Sequence, residues 1–431
     1  MRMSRYRLLI FSVFAALVCG SASAQQVHEL SLKEAEQLAI QNHPQIQIAT
    51  NLAAAAAARV QQARSAYYPQ AYGSLTGVDS ENNSRIAAGG LNNPVIYERY
   101  SNGLTVGQLL TDFGRTHELV KSSNYRAQAR QEDVTASRAN VLLQVDQAYF
   151  AVLKAQTVLQ VAEKTVKTRQ LVADQVGALA KNKLKSGLDV SFANVDLAQA
   201  ELLLVQAQND LQASFADLST ALGYAEQRTF QLVEEPIPPA PPADLPGLLQ
   251  QALKNRPELV SQQLDLNSAK SYATAERDLW FPTITAVGTA GLTPYGADQL
   301  APRYAAAGFN VNIPLFNGHL YGALRSEADA QAQAQEQFLR DLRNRVVRDV
   351  QKAWLNSNSA YQRLSLTDQL LKNATQALDL AQERYKLGLS SIIELSQAQL
   401  NETQAEIVQA GAKYDYAAQI SVLNYQVGRM P

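Results

Sequence analysis

Of the side chains that could do chemistry, this chain carries four histidines, His28, His43, His117 and His319, whose imidazoles suit metal binding or proton transfer near neutral pH. None has a second histidine or a cysteine at metal-ligand spacing. There is no glycine-rich phosphate loop and no nucleophile elbow. Asp112-Phe113-Gly114 has the form of the magnesium-binding tripeptide of kinases, but the other kinase signatures are missing. It reads better as a turn between a strand and a helix. The carboxylates are spread along helical faces, where a charge is usually solvated. The pattern speaks against an enzyme and calls for no metal and no cofactor.

The ends and the composition narrow the setting. Arg2, Arg5 and Arg7, the apolar stretch Leu8 to Val18 and the sequence Ala22-Ser23-Ala24 form a secretory signal over residues 1–24, with cleavage expected between Ala24 and Gln25. The apolar stretch is too short for a membrane anchor, which needs about 20 residues. The only cysteine, Cys19, follows Val18 rather than a small residue, so a lipoprotein site is disfavoured. After cleavage no cysteine remains to form a disulfide. Loss of three arginines moves the net charge from −1 to −4, which argues against binding nucleic acid by bulk electrostatics. No later segment is long and apolar enough for a spanning helix, so membrane contact must come from strands or from a lipid.

The elements that position everything else come in two copies. Asn42-His43-Pro44 returns as Asn255-Arg256-Pro257, and Arg64 to Tyr68-Pro69 returns as Arg277 to Phe281-Pro282, at a constant offset of 213 residues. Each unit reads helix–strand–strand–helix–helix. Helical patterns cover 31–66, 116–181 and 188–222, then 246–279, 319–384 and 390–427. The stretch 116–181 has no proline and would be about 95 Å long as one helix. Val145, Val152, Leu159 and Val166, interleaved with Val141, Ala148, Ala155 and Ala162, form a heptad seam. Ala398, Ala405 and Ala412 repeat its small-residue row in the last helix.

Strands are expected at about 68–79, 100–110, 281–293 and 304–315. Phe309, Val311, Ile313 and Leu315 alternate with Asn310, Asn312 and Pro314, giving one apolar and one polar face. Tyr100, Leu104, Val106 and Leu110 lie on one face less cleanly. Strands of this length can cross a bilayer when tilted, yet four cannot close a barrel, and open edges are not tolerated in lipid. A membrane role therefore requires several chains. Residues 234–246 carry six prolines and form an extended linker between the units at 25–233 and 247–431.

Taken together the units resemble the TolC-like outer-membrane efflux proteins over essentially the whole mature chain. The resemblance is carried by the paired Asn-x-Pro helices and by Tyr68-Pro69 and Phe281-Pro282 opening strands. It is carried also by the strand exits, Leu109 to Arg115 and Pro314 to Gly318, and by the hairpin tips, Lys185-Ser186-Gly187-Leu188 and Tyr385 to Leu389. It implies a mainly α protein with membrane β: a homotrimer whose twelve strands form one barrel in outer-membrane lipid, continued by a periplasmic α-helical coiled-coil barrel. It implies as partners a periplasmic adaptor protein and an inner-membrane RND, MFS or ABC transporter. Two departures are the missing lipidated cysteine and the second strand exit, Gly318-His319-Leu320, which lacks the counterpart of Arg115.

Gly187 and Gly388 fall between long helices, where a left-handed glycine commonly ends a helix. By resemblance Gly187, Leu188, Gly388 and Leu389 are the adaptor-docking residues. Aligned on Gly388, the family's periplasmic entrance has a tyrosine three residues earlier and acidic positions six and nine residues later. Tyr385 and Glu394 match and Gln397 does not. Three Glu394 carboxylates around one axis would favour cations and make a pH-dependent gate. Phe309, Val311, Ile313 and Leu315 are placed toward lipid, Asn310 and Asn312 toward the lumen. Tyr67, Tyr68, Phe113, Trp280, Phe281 and Phe316 fall near the periplasmic strand ends, where aromatics suit the lipid–water boundary. The functional expectation is the exit duct of a tripartite efflux pump. The alternatives are the outer component of ABC-exporter (type I) protein secretion and, from another class, a periplasmic coiled-coil adaptor or scaffold.

Overall fold

A computed structural model describes residues 29–81, 84–85 and 95–430. The expected cleavage site at Ala24 and Gln25, and Cys19 with it, lie outside the described residues, as does most of the loop after residue 81. The first unit runs β1 (Glu29–Leu30), α1 (Leu32–Asn42), α2 (Pro44–Arg64), β2 (Gln70–Val78), β3 (Arg99–Thr111), α3 (Arg115–Lys181) and α4 (Gly187–Ala221). After β4 (Gln231–Leu232) and the linker, the second runs α5 (Leu245–Asn255), α6 (Pro257–Arg277), β5 (Thr283–Gly296), β6 (Arg303–Asn312), α7 (Leu320–Lys386) and α8 (Ile392–Val427). Both α3 and α7 have 67 residues, about 100 Å each. No described helix is long and apolar enough to cross a membrane, which leaves the strands as the candidates for that role.

The helices expected over 31–66 and 246–279 are each divided in two. The cause is Asn-x-Pro: proline has no N–H to donate, and it pushes the residue before it out of the helical region. His43 (φ −71°, ψ 124°) and Arg256 (φ −67°, ψ 121°) are both extended, with Pro44 and Pro257 opening the second helices. The far end of each unit closes onto this break. Gly223 (φ +84°) and Gly428 (φ +77°) end the last helices in the left-handed region, and each lies against the matching turn. A Cβ on Gly223 would stand 2.9 Å from the backbone of Asn42, and one on Gly428 would stand 3.2 Å from that of Asn255.

The offset between copies is 213 residues before the strand pairs and 205 after them. Arg115 and Leu320 begin the long helices, and Ser186 and Ser391 cap the short ones. The difference of eight is absorbed between the paired strands. The heptad seam is real: Val141, Val145, Val152 and Ala162 are fully buried, and Ala398, Ala405 and Ala412 are buried in α8. The main core joins α3 to α1, to the end of α4 and to α8, around Tyr149, Phe150, Leu218 and Tyr414.

The linker is a strap held by side chains. Its prolines have no backbone N–H to offer, and its carbonyls accept from the helices beneath. Trp354 Nε1 donates to the Pro242 carbonyl at 2.8 Å and the Tyr416 hydroxyl donates to that of Pro239. Tyr149 has its hydroxyl within 2.6 Å of the Val233 carbonyl and 2.9 Å of the Leu30 carbonyl. Beside it β1 pairs in parallel with β4, a short contact that the sequence pattern did not announce.

The glycine contacts predict opposite outcomes for two alanine substitutions. Gly223→Ala combines a left-handed backbone with a backbone clash and should destabilise by about 1–3 kcal/mol. Gly177→Ala, inside α3 with open space around its Cβ position, should be neutral or stabilise by up to about 1 kcal/mol. Thermal unfolding of the purified variants in detergent checks both.

Candidate functional site: open sheet edges and hairpin tips

The four long strands form one antiparallel sheet in the order β2-β3-β5-β6. Its register sorts the side chains by face. Leu104 and Val106 of β3 share a face with Ile284 and Ala286 of β5 and with Phe309 and Val311 of β6. The opposite face carries Thr105, Thr283, Thr285, Thr289, Asn310 and Asn312, and the Thr105 and Thr289 hydroxyls lie 3.3 Å apart. Tyr304 on that face covers Gly103 and Gly291, where any Cβ would collide with its ring. Register shifts at Tyr100/Asn102 and Leu109/Thr111 explain why β3 alternates less cleanly than β6. Ile313 and Leu315, expected inside the last strand, lie beyond it. β5 begins only at Thr283, so β6 runs out of partner at Asn312, and Pro314 cannot extend the ladder.

Both outer strands, β2 and β6, leave one side of their backbone unpaired among the described residues. At one end of the sheet the aromatics cluster. Phe113 stacks obliquely on Phe281 with ring centroids 6.1 Å apart, and Trp280 meets Tyr321 edge-on at 5.7 Å. Tyr68 and Phe316 stand largely exposed beside them. Each strand exit needs two consecutive left-handed residues, Phe113-Gly114 and Gly318-His319, to turn into its long helix.

At the other end of the long helices are the tips. Gly388 (φ +75°) does end α7 as expected, and the Leu389 N–H donates to the Arg384 carbonyl at 2.8 Å. Gly187 does not match it. The left-handed residue of the first tip is Lys183 (φ +62°), and the Leu184 N–H donates to the Leu179 carbonyl at 2.9 Å. Gly187 is instead the first residue of α4, after Ser186, which with Asp189 forms a reciprocal capping box. The 205-residue offset therefore pairs Lys183-Leu184 with Gly388-Leu389, and Gly187-Leu188 with Ile392-Ile393. The glycine drew the eye to the wrong turn. The serine cap followed three residues later by an acid, Ser186/Asp189 and Ser391/Glu394, is the signal that would have aligned the tips. Leu184, Leu188, Leu387, Leu389 and Ile393 all expose more than half their surface there.

Tyr385 packs on the apolar cluster that joins the two hairpins, formed by Val176, Ala193, Ile392 and Leu395 among others. Lys185 of the first tip lies 4.0 Å from its ring centroid, and its hydroxyl is buried without a hydrogen-bond partner. Glu394 is not a free carboxylate: Arg384 pairs with it at 3.0 Å. Gln397 donates to Asn401 on its own helix. The carboxylate expected to act as a pH-dependent gate is thus ion-paired within its own chain.

Further up the hairpins a polar knot spans three helices. Ser396 of α8 donates to Asp196 of α4, and Lys164 of α3 pairs with Glu406 of α8 at 2.5 Å. Arg169 of α3 lies between them, 6% exposed, with one terminal nitrogen unpartnered. Burial works against its charge, and Asp196 and Glu402 work in its favour. Burial, aided by Glu406, raises the pKa of Glu402. Arg169, Asp196, Gln199, Ser396 and Gln397 line a cavity of about 280 Å³ between α4 and α8. Apart from Gln397, sequence reading missed these residues: Asp196 and Ser396 are 200 residues apart, and Lys164 and Glu406 are 242 apart.

The outer membrane efflux protein family matches residues 36–224 and 248–425, and the chain belongs to it. The outer membrane efflux protein BepC of Brucella suis is 26% identical over 335 residues, 76% of this chain and 72% of that one. Protein CyaE of Bordetella pertussis is 25% identical over 386 residues, 87% of this chain and 79% of its own. Among solved structures, the outer-membrane channel OprN superposes with a TM-score of 0.81 at 20% identity, covering 92% of this chain and 89% of that one. The outer membrane protein VceC of Vibrio cholerae gives 0.78 at 18%, covering 92% and 96%. Membership makes the chain an outer-membrane channel protein extending into the periplasm, and a passive conduit rather than an enzyme.

Freeing Glu394 should change ion selectivity. Arg384→Gln is expected to shift the reversal potential of single channels in planar bilayers toward cations, and Arg384→Gln with Glu394→Gln to shift it back. Stability should change by no more than about 1 kcal/mol, because the pair is exposed.

Proposed function

We propose that this chain is the exit duct of a tripartite efflux pump. Three copies would share one twelve-stranded barrel and continue it as a helical tube, passing small molecules from an inner-membrane transporter and its periplasmic adaptor to the exterior. The observation that carries this reading is the four-stranded sheet with two unpaired edges, set on 67-residue helices. Closure by β2 of one copy against β6 of the next leaves no edge in lipid. Phe309 and Val311, with Ile313 and Leu315 at the rim, would face lipid; Asn310 and Asn312 would face the lumen.

In this reading the gate is the apolar and polar contact between the two hairpins: Tyr385 under Lys185, and the Asp196–Ser396 bond above it. Opening separates α7–α8 from α3–α4. A docked adaptor can drive that only by binding the separated arrangement more tightly than the closed one. Gly388 and Leu389 with Lys183 and Leu184 form the equivalent tip turns, and Gly187 and Leu188 lie one turn beyond. The exposed leucines give an adaptor hairpin an apolar foothold.

The test is site-specific photo-crosslinking in living cells, with the probe at Leu184 or Leu389 and a control at Val311. The expected result is a periplasmic adaptor captured from both tips and not from Val311, together with its cognate pump. Capture of an ABC exporter's adaptor would assign the chain to protein secretion instead. Silence at both tips would remove the docking mechanism. Release of the protein from membranes by mild salt would favour a soluble scaffold.

A further inference from the structure

Arg169 of α3 exposes 6% of its surface, and its Nη1 is sealed off without a hydrogen-bond partner. Among the described residues its guanidinium makes neither a hydrogen bond nor an ion pair. Buried arginines are ordinarily paired, as Arg256 is here with Glu258 at 3.1 Å and Gln426 at 2.8 Å. The opposite charges that act on Arg169 are Asp196 of α4 and Glu402 of α8, and neither forms an ion pair with it. Glu402 lies instead 3.7 Å from Lys164.

Arg169 and Asp196 both line the cavity of about 280 Å³ between α4 and α8. The other polar groups of its wall are largely spent. The Thr165 and Thr403 hydroxyls donate to carbonyls of their own helices, Val161 at 2.8 Å and Gln399 at 3.0 Å, and the Gln397 amide donates to Asn401. Ser396 donates to Asp196 Oδ2, which leaves Oδ1 able to accept. The cavity thus presents an unpaired cation and an anion with accepting capacity, held apart from each other. Around them the wall is apolar, with Phe192, Val195 and Leu203 from α4 and Ile393 and Leu400 from α8. Val195, Ile393 and Leu400 leave half or more of their surface exposed.

A bare anion would answer Arg169 but would meet the Asp196 carboxylate across the cavity, and a bare cation would be repelled by Arg169. A ligand that carries both charges side by side satisfies the two at once. We propose that Arg169 and Asp196 form a binding site for a small zwitterion with an apolar side chain, of the size and kind of leucine. Its carboxylate would bond to the Arg169 guanidinium and its ammonium to Asp196 Oδ1, with the side chain among Phe192, Leu203 and Leu400. The carboxylate supplies the partner that the fold leaves out. The site draws on α3 and α4 of one hairpin and on α8 of the other. Its occupant therefore binds the closed arrangement better than the separated one and holds the hairpins together. That consequence rests on the exit-duct reading; the binding site does not.

Isothermal titration of the purified full-length protein in detergent with L-leucine tests the site. Two analogues accompany it, 4-methylpentanoate without the amine and 3-methylbutylamine without the carboxylate. Leucine is expected to bind, and each analogue to bind at least about tenfold more weakly, because each leaves one charge of the site unanswered. Arg169→Met keeps the apolar bulk and removes the unpaired charge, so it should unfold at no lower temperature and lose leucine binding. Asp196→Asn should weaken leucine but not 4-methylpentanoate. No leucine binding up to about 10 mM, or equal binding by Arg169→Met, would overturn the proposal. In planar bilayers, leucine on the periplasmic side should lengthen the closed times of the unmodified channel and leave those of Arg169→Met unchanged. Leucine that binds without altering the closed times would uphold the site and sink the gate reading.

Discussion

The N–H and C=O groups along the outer sides of β2 and β6 have no strand partner among the described residues, and in hydrocarbon each would cost several kcal/mol. Everything else about the sheet follows from that debt. A four-stranded sheet is too narrow to curl onto itself, so its edges can be satisfied only by other strands of the same kind. The alternation of Phe309 and Val311 with Asn310 and Asn312 then acquires a direction, because a closed sheet has an inside and an outside. Membership in a family of outer-membrane channels and the hydrogen-bonding requirement arrive at one geometry by separate routes.

The helical part answers a different demand, that of a long wall wetted on one or both sides. Small alanines at seven-residue spacing let α3, α4 and α8 approach closely, and the larger valines fill what remains. Such a wall has no thick core in which to hide ionised groups. Of the buried charged residues, Arg256, Glu276 and Asp278 are ion-paired, whereas Arg169 near the tips and Asp146 near the strap each keep a polar atom without a partner. Desolvation makes such groups costly.

The two halves began alike and have been specialised unequally. Asp112 caps α3 by accepting from the Thr116 N–H at 2.7 Å, while its counterpart Asn317 has both side-chain polar atoms buried without partners. Arg115 reaches Glu276 at 3.7 Å, and Leu320 in the second half cannot. One linker serves both halves, held by Tyr149, Trp354 and Tyr416.

The duplication, the helix lengths, the strand pairs and the polar and apolar faces of β6 were legible in the sequence, because periodicity is a local property that each segment carries by itself. The breaks at His43 and Arg256 were not read, the helices being expected whole over 31–66 and 246–279, although proline acts on its own neighbour. Only the tertiary structure decided that Lys183, not Gly187, turns the first tip. Only it could show that Arg384 pairs with Glu394, and that Asp146 is buried with its Oδ1 unpartnered. The tip turn was missed because a left-handed residue is chosen by the end of the helix and its closing hydrogen bonds, with residue type only a preference. The charge partners were missed because electrostatic energy depends on distance and burial in space. Asp196 and Ser396 lie 200 residues apart along the chain, and no pattern in the sequence measures the gap that folding closes between them.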